Sequence, residues 1–438
     1  MIAGKTDSWL SPAILGWSLA SFFYFYQYAL RSAPSMMSTQ LGQAFDLTVA
    51  GLSTLVSLFY FGYAPFSLIA GVAMDQFGPG KVTPIAAAVA GFGALLFATG
   101  NLALAAIGSF LQGAAAIFAI VAAVHIATTR FPASQAGTLI GLTQMIGVAG
   151  GAACMFLLGP ALTAGLPWKS FWLVMGLMGI VLAGLQLVFG PKEQLRPSAI
   201  APASNRMRDI MAAFRSVFGN PQSLLCGVIA GLLFIPTTIF TMVWGVQFLQ
   251  EGHDLPYTMA VLRSASVSLG WILGAPLLGM LSDRIGRRKP VIIGSAAILL
   301  GCLAAILFGT PGQFPAYSLG LVAGFASGAA MLPYTVIKEA NRPEHAGTAT
   351  GVISFLNFSL SAVLGPVFGA LLARASEGST RELVHYQTAF TPLLYVVALA
   401  ILLTFCLRET GPAAAPAKVL EYREKNPARH VPERKSHV

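Results

Sequence analysis

Acidic residues are scarce in this chain. Of its 438 residues only 16 are Asp or Glu, and charged residues of every kind make up 10%. A soluble globular domain carries about 25%, so a soluble enzyme, a disordered protein and a nucleic-acid-binding module are excluded. Cysteine is equally sparse. Cys154, Cys226, Cys302 and Cys406 all fall in apolar stretches, with no two at metal-ligand spacing. That excludes a disulfide framework and a zinc site, and all four read as buried packing residues. The six His residues join no His/Asp/Glu cluster at metal spacing, and there is no Ser-His-Asp set and no phosphate loop. Neither an enzyme nor a cofactor is expected. The first apolar run follows Lys5 and Asp7 without a cleavage-like pattern, so it is expected to be a retained span rather than a signal peptide.

What the chain does contain is hydrocarbon. Apolar residues make up 56%, Gly and Phe number 46 and 29, and the mean hydropathy is +0.73. A membrane-spanning helix needs about 20 apolar residues. Twelve stretches qualify: 12–38, 47–73, 82–100, 102–128, 136–163 and 168–190, then 222–249, 256–281, 290–309, 315–337, 345–373 and 386–407. The fold class expected is an all-α membrane protein, with twelve spans in two six-helix pseudo-symmetric halves. The halves cover 1–190 and 222–410. Between them, 191–221 forms a central loop in which Met207, Ile210, Met211, Phe214, Val217 and Phe218 recur at helical spacing beside Arg206, Arg208 and Arg215. This suits an amphipathic helix lying on the membrane surface. The tail 411–438 mixes Pro, Lys, Arg and Glu and reads as disordered.

Orientation follows from the basic residues. With a cytoplasmic N-terminus, the outer loops hold only Lys169, Arg374 and Arg381 of the 26 Lys and Arg. The asymmetry places both termini in the cytoplasm.

The two halves repeat each other. Gly71-Val-Ala-Met-Asp75-Gln-Phe-Gly78-Pro-Gly-Lys81 follows span 2, and Gly279-Met-Leu-Ser-Asp283-Arg-Ile-Gly286-Arg287-Arg288-Lys289 follows span 8. Gly62 and Gly270 share the same offset. Ala136-Gly137-Thr138 and Ala346-Gly347-Thr348 match at nearly that offset as spans 5 and 11 open. Duplicated six-helix units are typical of secondary transporters. The Gly-x-x-x-Asp-x-x-Gly-Arg-Arg loop resembles the signature loop of the major facilitator superfamily, and the resemblance covers about residues 10 to 410. It implies a carrier that works by alternating access. It also implies a gating role for Gly71, Asp75, Gly78 and Lys81 and for Gly279, Asp283, Gly286, Arg287 and Arg288. An Asp beside a helix end can meet a helix N-terminus or a basic residue. The first copy departs from the pattern at Pro79 and Gly80. Ser109 stands where a related motif of span 4 usually has Arg, which lowers a drug-efflux reading. Gly147-Val-Ala-Gly150-Gly151 only partly resembles the motif of antiporting exporters.

A charge inside hydrocarbon is costly, so Arg31 in span 1 is a functional candidate. Tyr24, Gln27, Tyr28, Arg31 and Ser35 share one helix face. Guanidinium grips carboxylate or phosphate bidentately, and Tyr and Gln add hydrogen bonds. The Tyr-x-Leu-Arg pattern resembles facilitator families that move anions. Arg263, about 10 Å into span 8, is the second candidate and resembles an Arg of the oxalate-exchanging branch. Trp244, Gln144, Asn357 and Tyr334 could complete a substrate site. His125 is the candidate proton-coupling group, because its charge can change near neutral pH.

The reading is a secondary transporter of a small organic anion in a bacterial-type inner membrane, and the family resemblance implies a monomer. Proton-coupled uptake is favoured by that resemblance, with anion exchange open. An efflux pump for drugs or apolar or cationic compounds and a non-transporting receptor are the other readings.

Overall fold

The computed structural model describes residues 12–190, 203–310, 315, 317–342, 345–376, 380–411 and 413. Twelve long helices dominate: α1 (Pro12–Met36), α2 (Val49–Phe77), α3 (Pro79–Ala98), α4 (Leu102–Arg130), α5 (Ala133–Thr163) and α6 (Trp168–Phe189), then α7 (Pro221–Glu251), α8 (Tyr257–Ile285), α9 (Lys289–Phe308), α10 (Ser318–Glu339), α11 (Ala346–Ala375) and α12 (Leu383–Cys406). Among the described residues, α2 to α12 are long and apolar enough to cross a membrane. The first helix, α1, is long enough at 25 residues but less apolar. The reason is its face of Tyr24, Gln27, Tyr28 and Arg31, all buried, while Phe22 is exposed. Polar residues point into the bundle and apolar ones outward, as a lipid solvent demands.

Local chemistry sets the helix starts. The Thr48 side chain accepts from the Gly51 N–H, Asn101 from Leu104, and Asn220 from Gln222. Each satisfies a donor that the first turn leaves without a partner. In α7 the helix widens to a π form over Pro236–Trp244. Pro236 has no N–H to donate to the preceding turn, and its ring crowds that turn's carbonyl, so the ladder reorganises there. Leu383–Cys406 has a comparable interruption before Pro392.

The repeat seen in the sequence is a packing repeat. A Cβ on Gly113 would fall on the Phe59 carbonyl of α2, and one on Gly62 would fall on the Phe110 carbonyl of α4. In the second group, Gly324 of α10 meets the Val267 carbonyl and Gly270 of α8 meets the Leu321 carbonyl in the same way. Close backbone approach of this kind is how helices associate without a hydrophobic driving force. Both signature loops pass through a glycine of positive φ, Gly78 at φ 73° and ψ 160° and Gly286 at φ 70° and ψ 12°, so the two turns share a glycine but not a conformation. Positive φ is adopted most readily by glycine.

The groups meet along α2 and α11. Ser53 Oγ donates to the Gly365 carbonyl (2.6 Å) and Ser67 Oγ to the Gly351 carbonyl (3.2 Å). A second seam joins α5 and α1 to α8, where Gly159 of α5 lies against Val261 of α8, and the Tyr257 hydroxyl donates to the Met36 carbonyl (2.9 Å). Connecting the groups is a helix at Ala203–Phe218, which holds Val217 buried and packs Phe218 on Phe355 of α11 (ring centroids 6.2 Å). Met211 on that helix is exposed. Residues 191–202, most of the tail 411–438 and the extreme N-terminus lie outside the described residues. One expectation is corrected: Cys154, Cys226 and Cys302 are buried, but Cys406 is exposed. It is the last residue of α12.

Candidate substrate site around Arg31

The Arg31 side chain lies between the two helix groups in a cage of rings. Its guanidinium carbon is 5.3 Å from the Tyr28 ring centroid, 5.1 Å from Tyr60, 5.5 Å from Phe234 and 5.3 Å from Phe358. These rings come from α1, α2, α7 and α11, so the cage exists only when both groups are assembled. Each cation–π contact is worth about 0.5–2 kcal/mol, more when desolvated. Arg31 is 5% exposed, and its Nε donates to the Tyr60 hydroxyl (3.2 Å). Tyr60 in turn donates to the Thr238 carbonyl in the π segment of α7 (3.3 Å). No carboxylate pairs with Arg31 among the described residues, and its Nη2 has no hydrogen-bond partner there.

A second layer surrounds the cage. Tyr63 packs on Phe358 at 4.2 Å, and Tyr24 stacks edge-on to Tyr28 at 5.1 Å. The Tyr24 hydroxyl donates to Gln144 Oε1 (2.9 Å), and Asn357 Nδ2 donates to the Tyr334 hydroxyl (3.1 Å). Other buried polar atoms also have no hydrogen-bond partner among the described residues, Gln27 Oε1, Ser32 Oγ, Gln112 Nε2, Trp244 Nε1 and Asn357 Oδ1 among them. Native interiors rarely leave such atoms unpaired, and a binding site is one setting in which they do. The glycine run of α5 serves this site. Gly147 faces the Tyr24 ring, Gly150 faces the Phe25 backbone, and a Cβ on Gly151 would lie 2.8 Å from the Ser32 hydroxyl and 3.6 Å from the Tyr28 ring. Side chains there would push α5 off the polar face of α1. A small cavity of about 20 Å³ adjoins Arg31, with Tyr60, Ser109, Gln112 and Trp172 in its wall.

The structure therefore gathers Tyr24, Gln27, Tyr28, Arg31, Gln144, Tyr334 and Asn357 into one connected region. Trp244 is buried at the end of the π segment. Arg263 is placed elsewhere. It lines a separate cavity of about 100 Å³ among α7, α8, α9 and α10, together with His253 and a mostly hydrocarbon wall. His125 is also remote, since it follows Gln112 by 13 residues on α4, about 20 Å of helix rise. The cage residues Tyr60, Tyr63, Phe234 and Phe358 escape sequence reasoning. The only sequence trace is a pair of tyrosines three residues apart on α2, because aromatic residues in a span look like packing.

At the α8–α9 loop, Arg288 is buried beneath a charge network. Its guanidinium donates to Asp283 and Ser282, and to Glu339 at the end of α10 (2.8 Å). Burial alone would lower its pKa, but the bonds to Glu339 and Asp283 outweigh that and raise it. Glu409, just beyond α12, accepts from the N–H groups of Arg288 (2.6 Å) and Lys289 (3.1 Å), capping α9 with charge. Gly286 makes the left-handed turn into this network, while Arg287 and Lys81 are exposed. Gly71 and Gly279 have open space beside them. The Asp75 side chain lies outside the described residues.

A family model described as Major Facilitator Superfamily matches residues 17–366. The chain belongs to the major facilitator superfamily. Its members and relatives are transporters, not enzymes. The chain is 23% identical over 370 residues to a probable sulfoacetate transporter, SauU, of Cupriavidus necator, covering 80% of this chain and 85% of that one. It is 25% identical over 376 residues to a hexuronate transporter of Bacillus subtilis, covering 81% and 86%. A methyl viologen resistance protein, SmvA, of Salmonella typhimurium is 31% identical, but over 36% of this chain and 32% of its own. Among solved structures, a D-xylose–proton symporter superposes with TM-score 0.70 at 16% identity, over 91% of this chain and 99% of that one. The facilitator fold is common to all of these comparisons.

Proposed function

We propose that this facilitator carries a small organic anion across a bacterial inner membrane by alternating access, with both termini in the cytoplasm. One observation carries the substrate class: a buried guanidinium, caged by four rings, keeps an Nη2 donor without a partner and has no carboxylate beside it. A carboxylate or sulfonate accepts from such a group bidentately. Gln27, Trp244 and Asn357 would bind the rest of the substrate through their unpaired atoms. The two long-range relatives, named for sulfoacetate and hexuronate, are both named for organic anions.

Efflux of a cationic or apolar compound is the second reading, supported by the partial match to SmvA. A cation would enter a site whose own charge is positive, and Ser109 does not supply the Arg of the exporter motif. A receptor that binds without transporting is the third reading, distinguished by binding that persists without flux.

The test is uptake into proteoliposomes of purified protein, with a labelled panel of mono- and dicarboxylates, sugar acids, sulfonates, amino acids and phosphate esters. Saturable anion uptake that is lost in Arg31→Ala is the expected result. Normal uptake by a folded Arg31→Ala, or transport of organic cations alone, refutes the assignment.

A further inference from the structure

We infer that the cavity beside Arg263 is a second binding site, for a small monoanion with an aromatic or branched hydrocarbon body, and that its occupant bears on the substrate cage through the π segment of α7. The cavity lies within the second helix group, among α7, α8, α9 and α10, and measures about 100 Å³. An engineered apolar cavity of about 150 Å³ takes up benzene. This one is therefore sized for a single ring or a short branched chain, and not for a whole lipid.

The wall favours hydrocarbon over water. Phe240, Phe248, Val267, Leu303, Ile306 and Leu319 supply its apolar surface. Its hydroxyls are engaged. Thr237 shares a hydrogen bond with Ser327 (2.9 Å), and Thr241 donates to the Pro236 carbonyl (3.2 Å). Ser264 donates to the Thr241 carbonyl (3.2 Å) and Ser266 to the Arg263 carbonyl (2.6 Å). A buried water needs about two to four polar partners, and each of these hydroxyls already has a protein partner.

Charge enters at one end. Arg263, in the second turn of α8, and His253, in the α7–α8 connection, line the cavity with Gly309 and Thr310, where α9 ends. Burial and Arg263 hold the His253 pKa below its ordinary value, so Arg263 is the cation there at neutral pH. Asp254 opposes that shift from outside the wall, and among the described residues no Asp or Glu lines the cavity. An apolar pocket with a guanidinium at one end is complementary to a carboxylate or sulfonate carried on hydrocarbon.

One segment joins this cavity to the substrate cage. Pro236, Thr237, Phe240 and Thr241 line the cavity from the π segment. The same segment carries Trp244 and the Thr238 carbonyl that accepts from Tyr60, whose hydroxyl accepts from Arg31. A segment that two ligands both contact couples them when either one stiffens it. The site itself does not depend on what Arg31 binds.

The experiment measures equilibrium binding of labelled benzoate to the purified full chain, in detergent and in lipid nanodiscs, with empty discs as the blank. Saturable binding is expected in both and should persist in Arg31→Ala. It should be roughly 10–100-fold weaker in Arg263→Gln, the effect of losing a charge-assisted hydrogen bond. Ala323→Leu, whose longer side chain enters the cavity, should abolish it. Benzyl alcohol keeps the ring without the charge and should compete roughly tenfold less well or worse. Bound benzoate should slow hydrogen exchange across Pro236–Trp244. No saturable binding to the wild type overturns the inference, as does binding lost in Arg31→Ala but kept in Arg263→Gln, which puts benzoate in the central site. Equal competition by benzyl alcohol overturns the anion class. Binding that vanishes in nanodiscs gives the cavity to a lipid chain and overturns the assignment. Unchanged hydrogen exchange in the saturated protein overturns the coupling to the cage. Where Arg31→Ala or Ala323→Leu fails to fold, Arg31→Lys and Arg263→Gln decide between the two sites.

Discussion

Gly113→Ala and Gly324→Ala test whether the two groups of helices are held by the same backbone contact. A Cβ on Gly113 would lie 2.7 Å from the Phe59 carbonyl carbon and 3.0 Å from its Cα. On Gly324 it would lie 2.7 Å from the Val267 carbonyl carbon and 3.0 Å from the Trp271 nitrogen. Ordinary contact begins at 3.4 Å, so 3.4 − 2.7 = 0.7 Å is the least by which each helix pair must part. The obstructing atoms are backbone, and no rotamer change can relieve them. A gap of about 0.5–1 Å forfeits a quarter to a half of the dispersion energy of the atoms it separates. Overpacking costs about 1–3 kcal/mol, partly offset by about 0.5–1 kcal/mol from replacing a helical glycine. Each variant should lose about 1–2 kcal/mol net. The assay is thermal unfolding of purified protein in detergent, beside Gly71→Ala and Gly279→Ala, whose added methyls meet nothing within 4 Å. These controls should unfold at or slightly above the wild-type temperature. Gly113→Ala or Gly324→Ala unfolding with the controls would refute the close-approach argument for that half.

Arg31→Lys keeps the charge but loses the planar fork and the Nε bond to Tyr60. A charge-assisted bond of about 1.5–3 kcal/mol predicts roughly 10–100-fold weaker anion affinity, measured by uptake kinetics. His253, between α7 and α8, has its pKa lowered by burial and by Arg263, with Asp254 opposing. Its neutral form is favoured in the folded state, so its contribution is present above the ordinary pKa near 6.5 and is lost as pH falls through the folded value. Wild-type melting temperature should fall on acidification more than that of His253→Gln. Glu409→Gln keeps acceptors for the α9 N-terminus but removes the charge, and should cost about 0.5–2 kcal/mol in thermal unfolding, less at high salt. Tyr257→Phe removes the bond to the Met36 carbonyl, and should raise thiol-reagent labelling of a cysteine placed on the α1 face near Met36.

Some of this protein is determined along the chain. Twelve spans follow from apolar length, because lipid forces every backbone bond inside its own helix, and each boundary falls within four residues of the expected one. The duplication is legible because Gly62 and Gly270 stand against a neighbouring backbone that leaves no room for a Cβ, and Gly78 and Gly286 take a positive φ that favours glycine. Arg31 announces itself because a charge among apolar residues is rare. The fold class and one end of the site therefore follow from one-dimensional rules. The cage does not. Tyr60, Phe234 and Phe358 come from three different helices, and an aromatic residue in a span has the same sequence signature whether it faces lipid, a neighbour or a cation. Arg31 and Arg263 likewise look alike in sequence, as single cations in apolar runs. Only the packing of α7 against α8, α9 and α10 sets Arg263 in a cavity of its own. Helical periodicity says which residues share a face. Which faces meet is decided by the joint packing of all twelve helices.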